Sequence, residues 1–342
     1  MNLRFIPWLL VLIVSFFVYG LTYYTEHKEK PAPSYDFYEP AIVQLEIAGE
    51  EDLHSVYGQY LNILEGKRET VEAQDLGDGN WRLDFSVNSP RPAMLYIDDE
   101  PLEVFLVPGD STLQISMEIT GPEYRIDSLQ FTGEIAGICG YLQSKYKRFS
   151  QVQLRSSRSL VEAQNFEVFA AKLDSMAARE LAFLAEQEVF STLPNWFVKF
   201  EKNDILYQKA YLKISQAYNQ DINPDLLDDV PLSNESAMFS YYYYLYLTAR
   251  FNEEAQFAAG VPAPDDPLYH DWAVKQTRMA DFYLQEGPRD VFMTRIIFDM
   301  LQNRYLEEAE KLLDRYGGEF ASKKYYRFLN MQLEKRLENE NL

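Results

Sequence analysis

A second thiol is missing from this sequence. Cys139 is its one cysteine, which excludes an intrachain disulfide and, with no Cys-x-x-Cys, excludes dithiol chemistry within one copy. Cys139 lies in the apolar stretch Ile135–Leu142, where a thiol reads as buried and inert. Histidine is scarce too. His27, His54 and His270 never stand four residues apart, and no EF-hand spacing occurs, so the common helical metal motifs are absent. Basic charge is in deficit: 32 Lys and Arg against 53 Asp and Glu leave a net charge of −21. Nucleic-acid binding needs clustered cations and is excluded on that ground, and the same balance disfavours an anionic membrane surface. No catalytic constellation stands out, and none of the motifs implies a cofactor. The expectation is therefore a protein that is not an enzyme.

What is present begins at the N-terminus. Arg4 precedes an uncharged apolar run from Phe5 to Tyr19, which reaches spanning length if counted on to Tyr24. Trp8, Tyr19, Tyr23 and Tyr24 suit a membrane interface. Residues 1–24 are expected to be a signal anchor, with cleavage near Val18-Tyr19-Gly20 as the alternative. Residues 25–40, with Pro31, Pro33 and Pro40, read as a linker.

From Ala41 to about Ile119 the period is two. Val43, Leu45 and Ile47 alternate with Gln44 and Glu46, and Trp81, Leu83, Phe85 and Val87 alternate with Arg82, Asp84 and Ser86. Leu113, Ile115, Met117 and Ile119 alternate with Gln114, Ser116 and Glu118. Such alternation predicts half-buried antiparallel strands, hence a small β-sandwich over 41–120. Gly77-Asp78-Gly79-Asn80 and Pro108-Gly109 supply turns, the latter of type II. The run Leu53–Leu64 fits either strand or helix.

After Gly121 the period becomes 3.6. Ser159 and Glu162 form a capping box. The face Phe166, Phe169, Ala170, Leu173, Met176, Ala177, Leu181 and Leu184 predicts a helix that Pro194-Asn195 ends. Further helices are expected at Trp196–Ala217, Glu235–Ala255, Leu268–Glu286, Pro288–Asn303, Leu306–Tyr316 and Ala321–Glu338, giving an α-helical domain over 121–342. The fold class is α+β: an N-terminal spanning helix, a small antiparallel β-sandwich, then a larger helical domain. The 25 tyrosines and 22 phenylalanines imply ring-filled helix interfaces.

An ordered series of short strings runs through both regions: Gly79-Asn80-Trp81-Arg82-Leu83-Asp84-Phe85, Arg91-Pro92-Ala93-Met94-Leu95-Tyr96, Val104-Phe105-Leu106-Val107-Pro108-Gly109-Asp110-Ser111 and Leu129-Gln130-Phe131-Thr132-Gly133. Tyr141-Leu142 and Phe200-Glu201-Lys202-Asn203-Asp204-Ile205 continue it. In order and spacing it resembles the N-terminal β-sandwich and helical segment of membrane-anchored TlpA-type thiol–disulfide oxidoreductases of bacterial envelopes. That family carries its Cys-x-x-Cys in a thioredoxin domain, and no such motif occurs here. The resemblance implies the scaffold and the compartment without the activity: bacterial inner membrane, single pass, soluble part in the periplasm, or periplasmic after cleavage. No functional residue carries across.

Three groups of side chains are candidates for a site. Glu201 and Asp204 lie at the apolar face of Phe197, Phe200, Tyr207 and Tyr211, where two carboxylates either form an acid–base pair or are satisfied structurally. The second reading is favoured, because no nucleophile accompanies them. His270 comes with Asp265, Asp266 and Asp271, which fit a hard cation or, more simply, an acidic helix N-terminus. Tyr241, Tyr242, Tyr243, Tyr244 and Tyr246 surround a helix and form either core or a ligand or partner surface. Together these readings point to a non-catalytic envelope binding or scaffolding protein. It would be membrane-attached through its N-terminal segment and would have a protein partner or a peptide or glycan ligand. The alternatives are a docking protein for a separate thioredoxin-like disulfide reductase and a helical-repeat adaptor built around Met293–Leu329.

Overall fold

Alternating apolar residues place the strands. In the computed structural model, which describes residues 39–48, 55–98, 100–109, 112–120, 125–149, 165–190, 193–220, 222, 230–255 and 261–340, β1 (Glu39–Ala48) buries Ala41, Val43, Leu45 and Ile47. Leu83, Phe85 and Val87 of β5 (Asn80–Val87) and Leu113, Ile115, Met117 and Ile119 of β8 (Thr112–Thr120) point into the same core. These three strands, with β4 (Gln74–Gly77) and β9 (Arg125–Thr132), form a five-stranded sheet of order β4-β5-β1-β8-β9. The facing sheet has the order β3-β2-β6-β7 and consists of β2 (Val56–Asn62), β3 (Lys67–Glu72), β6 (Arg91–Ile97) and β7 (Glu100–Leu106). The expected β-sandwich is thus present, with three corrections. First, β1 and β8 pair in parallel, Val43 opposite Leu113 and Leu45 opposite Ile115. Alternation fixes which face a strand buries but is silent on the direction of its neighbour. Second, the sheet continues past residue 120 into β9, which pairs antiparallel with β8, so the helical period begins only at Ala136. Third, the ambiguous Leu53–Leu64 run contains strand β2. After β7, Gly109 is at φ +104°, the left-handed region that favours glycine, and residues 110 and 111 of the expected turn lie outside the described residues.

Eight helices follow among the described residues: α1 (Ala136–Phe149), α2 (Phe166–Phe190), α3 (Asn195–Asn219), α4 (Tyr241–Glu254), α5 (Tyr269–Tyr283), α6 (Glu286–Gln302), α7 (Leu306–Tyr316) and α8 (Lys323–Glu340). Pro194, extended at φ −64° and ψ 138°, ends the chain's approach to α3. The helix expected over Glu235–Ala255 is divided into a single 3₁₀ turn, Glu235–Ala237, and α4. The cause is local. Asn234 and Ser240 each accept a backbone N–H, from Ser236 at 3.1 Å and from Tyr243 at 3.3 Å, and so cap two separate starts. The Ser159–Glu162 capping box, residues 1–24 and the linker up to residue 38 lie outside the described residues. Among the described residues no helix is long and apolar enough to cross a membrane.

Sandwich and helices share their interior. Phe105 of β7 meets Phe197 at 5.2 Å and Phe200 at 5.6 Å, both edge-on. Ile138, Tyr141, Phe183 and Leu184 extend that apolar cluster. A second contact is made by the β2–β3 turn, whose Leu64 is 2% exposed and belongs to the core of the helical stack. Truncating a side chain so enclosed costs about 2–5 kcal/mol, so Leu64→Ala would weaken the attachment of one domain to the other.

Candidate functional site

The lone thiol is out of reach. Cys139 is fully buried on α1, and burial pushes its pKa up to about 12, against a smaller opposing effect from a hydrogen bond to the Phe105 backbone. Nucleophilic chemistry needs the thiolate, and this environment suppresses it.

Glu201 and Asp204, one helical turn apart on α3, have different partners. Glu201 Oε1 accepts from Lys145 Nζ at 2.6 Å and from the Tyr141 hydroxyl at 3.1 Å, while Lys145 also reaches Glu180 at 2.8 Å. Both glutamates are 2% exposed. One lysine therefore binds helices α1, α2 and α3 through two buried carboxylates. Asp204 accepts from Ser240 Oγ at 2.7 Å, so it fixes the residue that caps α4. Each carboxylate thus holds a helix junction.

Of the five clustered tyrosines, Tyr243 and Tyr246 are buried, Tyr242 and Tyr244 are half-buried, and Tyr241 is exposed. Tyr243 and Tyr246 pack on Tyr207 at 4.7 and 5.4 Å. The three hydroxyls donate to successive carbonyls, Tyr246 to Val230 at 3.4 Å, Tyr207 to Pro231 at 2.6 Å and Tyr243 to Leu232 at 2.6 Å. They clamp an irregular segment whose carbonyls need donors, and burial raises the Tyr207 pKa to about 12. Tyr241 is left at the surface, within electrostatic reach of Arg68 on β3.

His270, Asp265 and Asp271 are exposed. Asp266 accepts the Leu268 N–H at 2.8 Å and Asp271 pairs with Lys275 at 3.0 Å. Among the described residues no group of three or more His, Cys, Asp or Glu side chains is placed to hold a metal ion.

A surface that sequence reading missed lies on the outside of the four-stranded sheet. The outer face of the five-stranded sheet is polar in the usual way, with Glu46, Asp84, Gln114, Ser116, Glu118 and Gln130 exposed. The opposite face carries Tyr57, Gln59 and Leu61 of β2 and Pro92, Met94 and Tyr96 of β6, all half-buried. Register aligns them in rows across the strands. Tyr57 sits opposite both Glu72 and Tyr96, Gln59 opposite Thr70 and Met94, and Met94 opposite Glu103. The Tyr57 and Tyr96 rings are stacked, 4.8 Å between centroids and 14° from parallel. Beside them a cavity of about 200 Å³ is lined by Gln59, Leu61, Arg68, Met94, Tyr96 and Glu103, among others. The signal was present in the sequences of β2 and β6, where Tyr57, Leu61, Pro92, Met94 and Tyr96 take the outward positions and none of those positions is charged, unlike a solvated face.

No protein-family model matches the chain, and no curated protein matches it.

Proposed function

We propose that the chain is a non-catalytic binding or scaffolding module of a bacterial envelope, and that the outer face of the four-stranded sheet is its ligand surface. The observation that carries this reading is the contrast between the outer face of the five-stranded sheet and the part of the opposite outer face that α3, packed on Phe105, leaves uncovered. A sheet face open to water is polar when it has no partner, as the five-stranded one is. Its counterpart combines two stacked tyrosines, Met94, Leu61 and Pro92 with a few polar side chains in a concavity. Apolar lining with a small number of placed polar groups is the composition of a binding site. Attachment to the inner membrane through residues 1–24, with the remainder in the periplasm, belongs to this proposal, as does kinship with the N-terminal part of TlpA-type oxidoreductases. Support comes from the uncharged Phe5–Tyr19 run and from the ordered strings that carry the resemblance.

The test is retention from envelope extract by the immobilised full chain in mild detergent. Wild type should retain a stoichiometric component that Met94→Arg, placed on the groove floor, loses while its unfolding midpoint is unchanged. Equal retention by the two proteins, or steady turnover of any substrate by the purified chain, would overturn the reading.

A further inference from the structure

Resting on the proposal that this groove is a ligand site, we infer that its ligand is a short neutral saccharide lying across the strands. Three rows of side chains define the space. The first, Glu72–Tyr57–Tyr96–Pro101, raises the stacked aromatic pair along one side; the second, Thr70–Gln59–Met94–Glu103, forms the floor. Arg68, opposite Leu61, and Pro92, opposite Phe105, bound the other side. Four strands at about 4.8 Å spacing make the floor about 14 Å long, room for two or three pyranose rings.

Main-chain recognition of a peptide is unavailable to a ligand in this orientation. The N–H and C=O groups of β2 and β6 are used by their neighbours in the sheet, β3 and β6 for β2, and β2 and β7 for β6. Strand addition needs an edge. The β3 edge carries Lys67 between Glu65 at 2.8 Å and Glu69 at 3.0 Å, charges that discourage pairing. Recognition must therefore come from side chains alone, and these match the two-sided character of a sugar. A pyranose presents a C–H face that packs on an aromatic ring, and hydroxyls around its rim that both donate and accept. Tyr96, propped by Tyr57, gives the ring a platform fixed before binding, which lowers the ordering cost. Gln59 Nε2 donates to Thr70 Oγ1 at 3.4 Å, which leaves Oε1 as an acceptor. Arg68 is exposed and has no ion pair among the described residues, so its five donors are available. Glu103, at the other end of the row, places a negative side chain beside the cavity. Guanidinium at one end and carboxylate at the other fit hydroxyls better than they fit a ligand of single charge, and a chain of net charge −21 repels polyanionic glycans.

The experiment is calorimetric titration of the full chain in detergent with cellotriose, chitotriose and mannotriose and with their monosaccharides. At least one trisaccharide should bind, more tightly than its monosaccharide. Tyr96→Ala should weaken it about tenfold or more, and Gln59→Ala, which removes no core contact, should weaken it measurably with unfolding unchanged. Retention of a protease-sensitive component that depends on the groove, with none of the sugars bound, would overturn the saccharide inference while keeping the groove as a binding site. Loss of both would remove the two together.

Discussion

The guanidinium of Arg295 occupies the space where a β-carbon on residue 66 would lie. Its Nη1 donates to the Leu64 carbonyl at 3.4 Å, and the group sits 5.8 Å from the centre of the Tyr244 ring. A hairpin tip of the sandwich and two helices are thereby locked at one point. Gly66 is at φ +62°, so alanine there brings both backbone strain and displacement of Arg295. Gly66→Ala is expected to cost about 2 kcal/mol in the wild type and only about 1 kcal/mol in an Arg295→Ala background, because the strain remains while the collision is removed. Urea unfolding of the four proteins of the cycle measures this; equal costs in the two backgrounds would show that Arg295 yields freely.

Lys145 neutralises part of a buried pair of carboxylates. Lys145→Met removes this cation from enclosed Glu180 and Glu201, and a loss of about 3–5 kcal/mol is expected from weakening the compensation of buried charge. Adding Glu180→Gln and Glu201→Gln to Lys145→Met should recover much of it. A single-variant loss below about 1 kcal/mol in chemical denaturation would mean that water reaches the cluster.

Asp290 on α6 is fully enclosed and accepts the Ser322 N–H at 2.8 Å at the start of α8. Burial raises its pKa above the usual carboxylate value, against the weaker opposing pull of the Ser322 and Ala321 amides, Arg289 and Lys323. A carboxyl with a native pKa above its unfolded one favours the fold while protonated. Its contribution is fully present below the unfolded pKa and is lost as pH rises through the native one. Asp290→Asn should therefore gain stability relative to wild type as pH rises from the unfolded carboxylate value of 3.8 through the higher native one. Unfolding midpoints of the two proteins that keep a constant difference over that range would contradict this.

The Cys139 thiol, buried with its pKa near 12, should be silent toward an aromatic disulfide reagent in the native protein and react once per chain in denaturant. Rapid native labelling would show that α1 lifts from the Phe105 face.

Much of the architecture was legible because burial imposes a period. Val43, Leu45 and Leu83 announce a core-facing strand wherever they are read, and Phe169, Leu173 and Ala177 announce a helix face. Partners are another matter. Nothing in residues 41–48 or 112–119 says that the two strands run in parallel, since side-chain alternation is the same in either direction. The tyrosine run shows the same limit in a helix: which of Tyr241 to Tyr246 is buried depends on Tyr207 and on the carbonyls of residues 230–232, which lie outside that helix. The groove was hidden for the same reason. Tyr57 and Tyr96 lie far apart in sequence, and only the β2–β6 register stacks them.

One measurement bears most directly on the claim that the four-stranded sheet's outer face is the ligand site. With methionine methyl groups labelled and Met94 assigned through Met94→Leu, a bound trisaccharide should shift the Met94 resonance and leave those of buried Met176, Met293 and Met300 in place. Binding that leaves Met94 unmoved, or moves only methyls of the helical stack, would contradict the account.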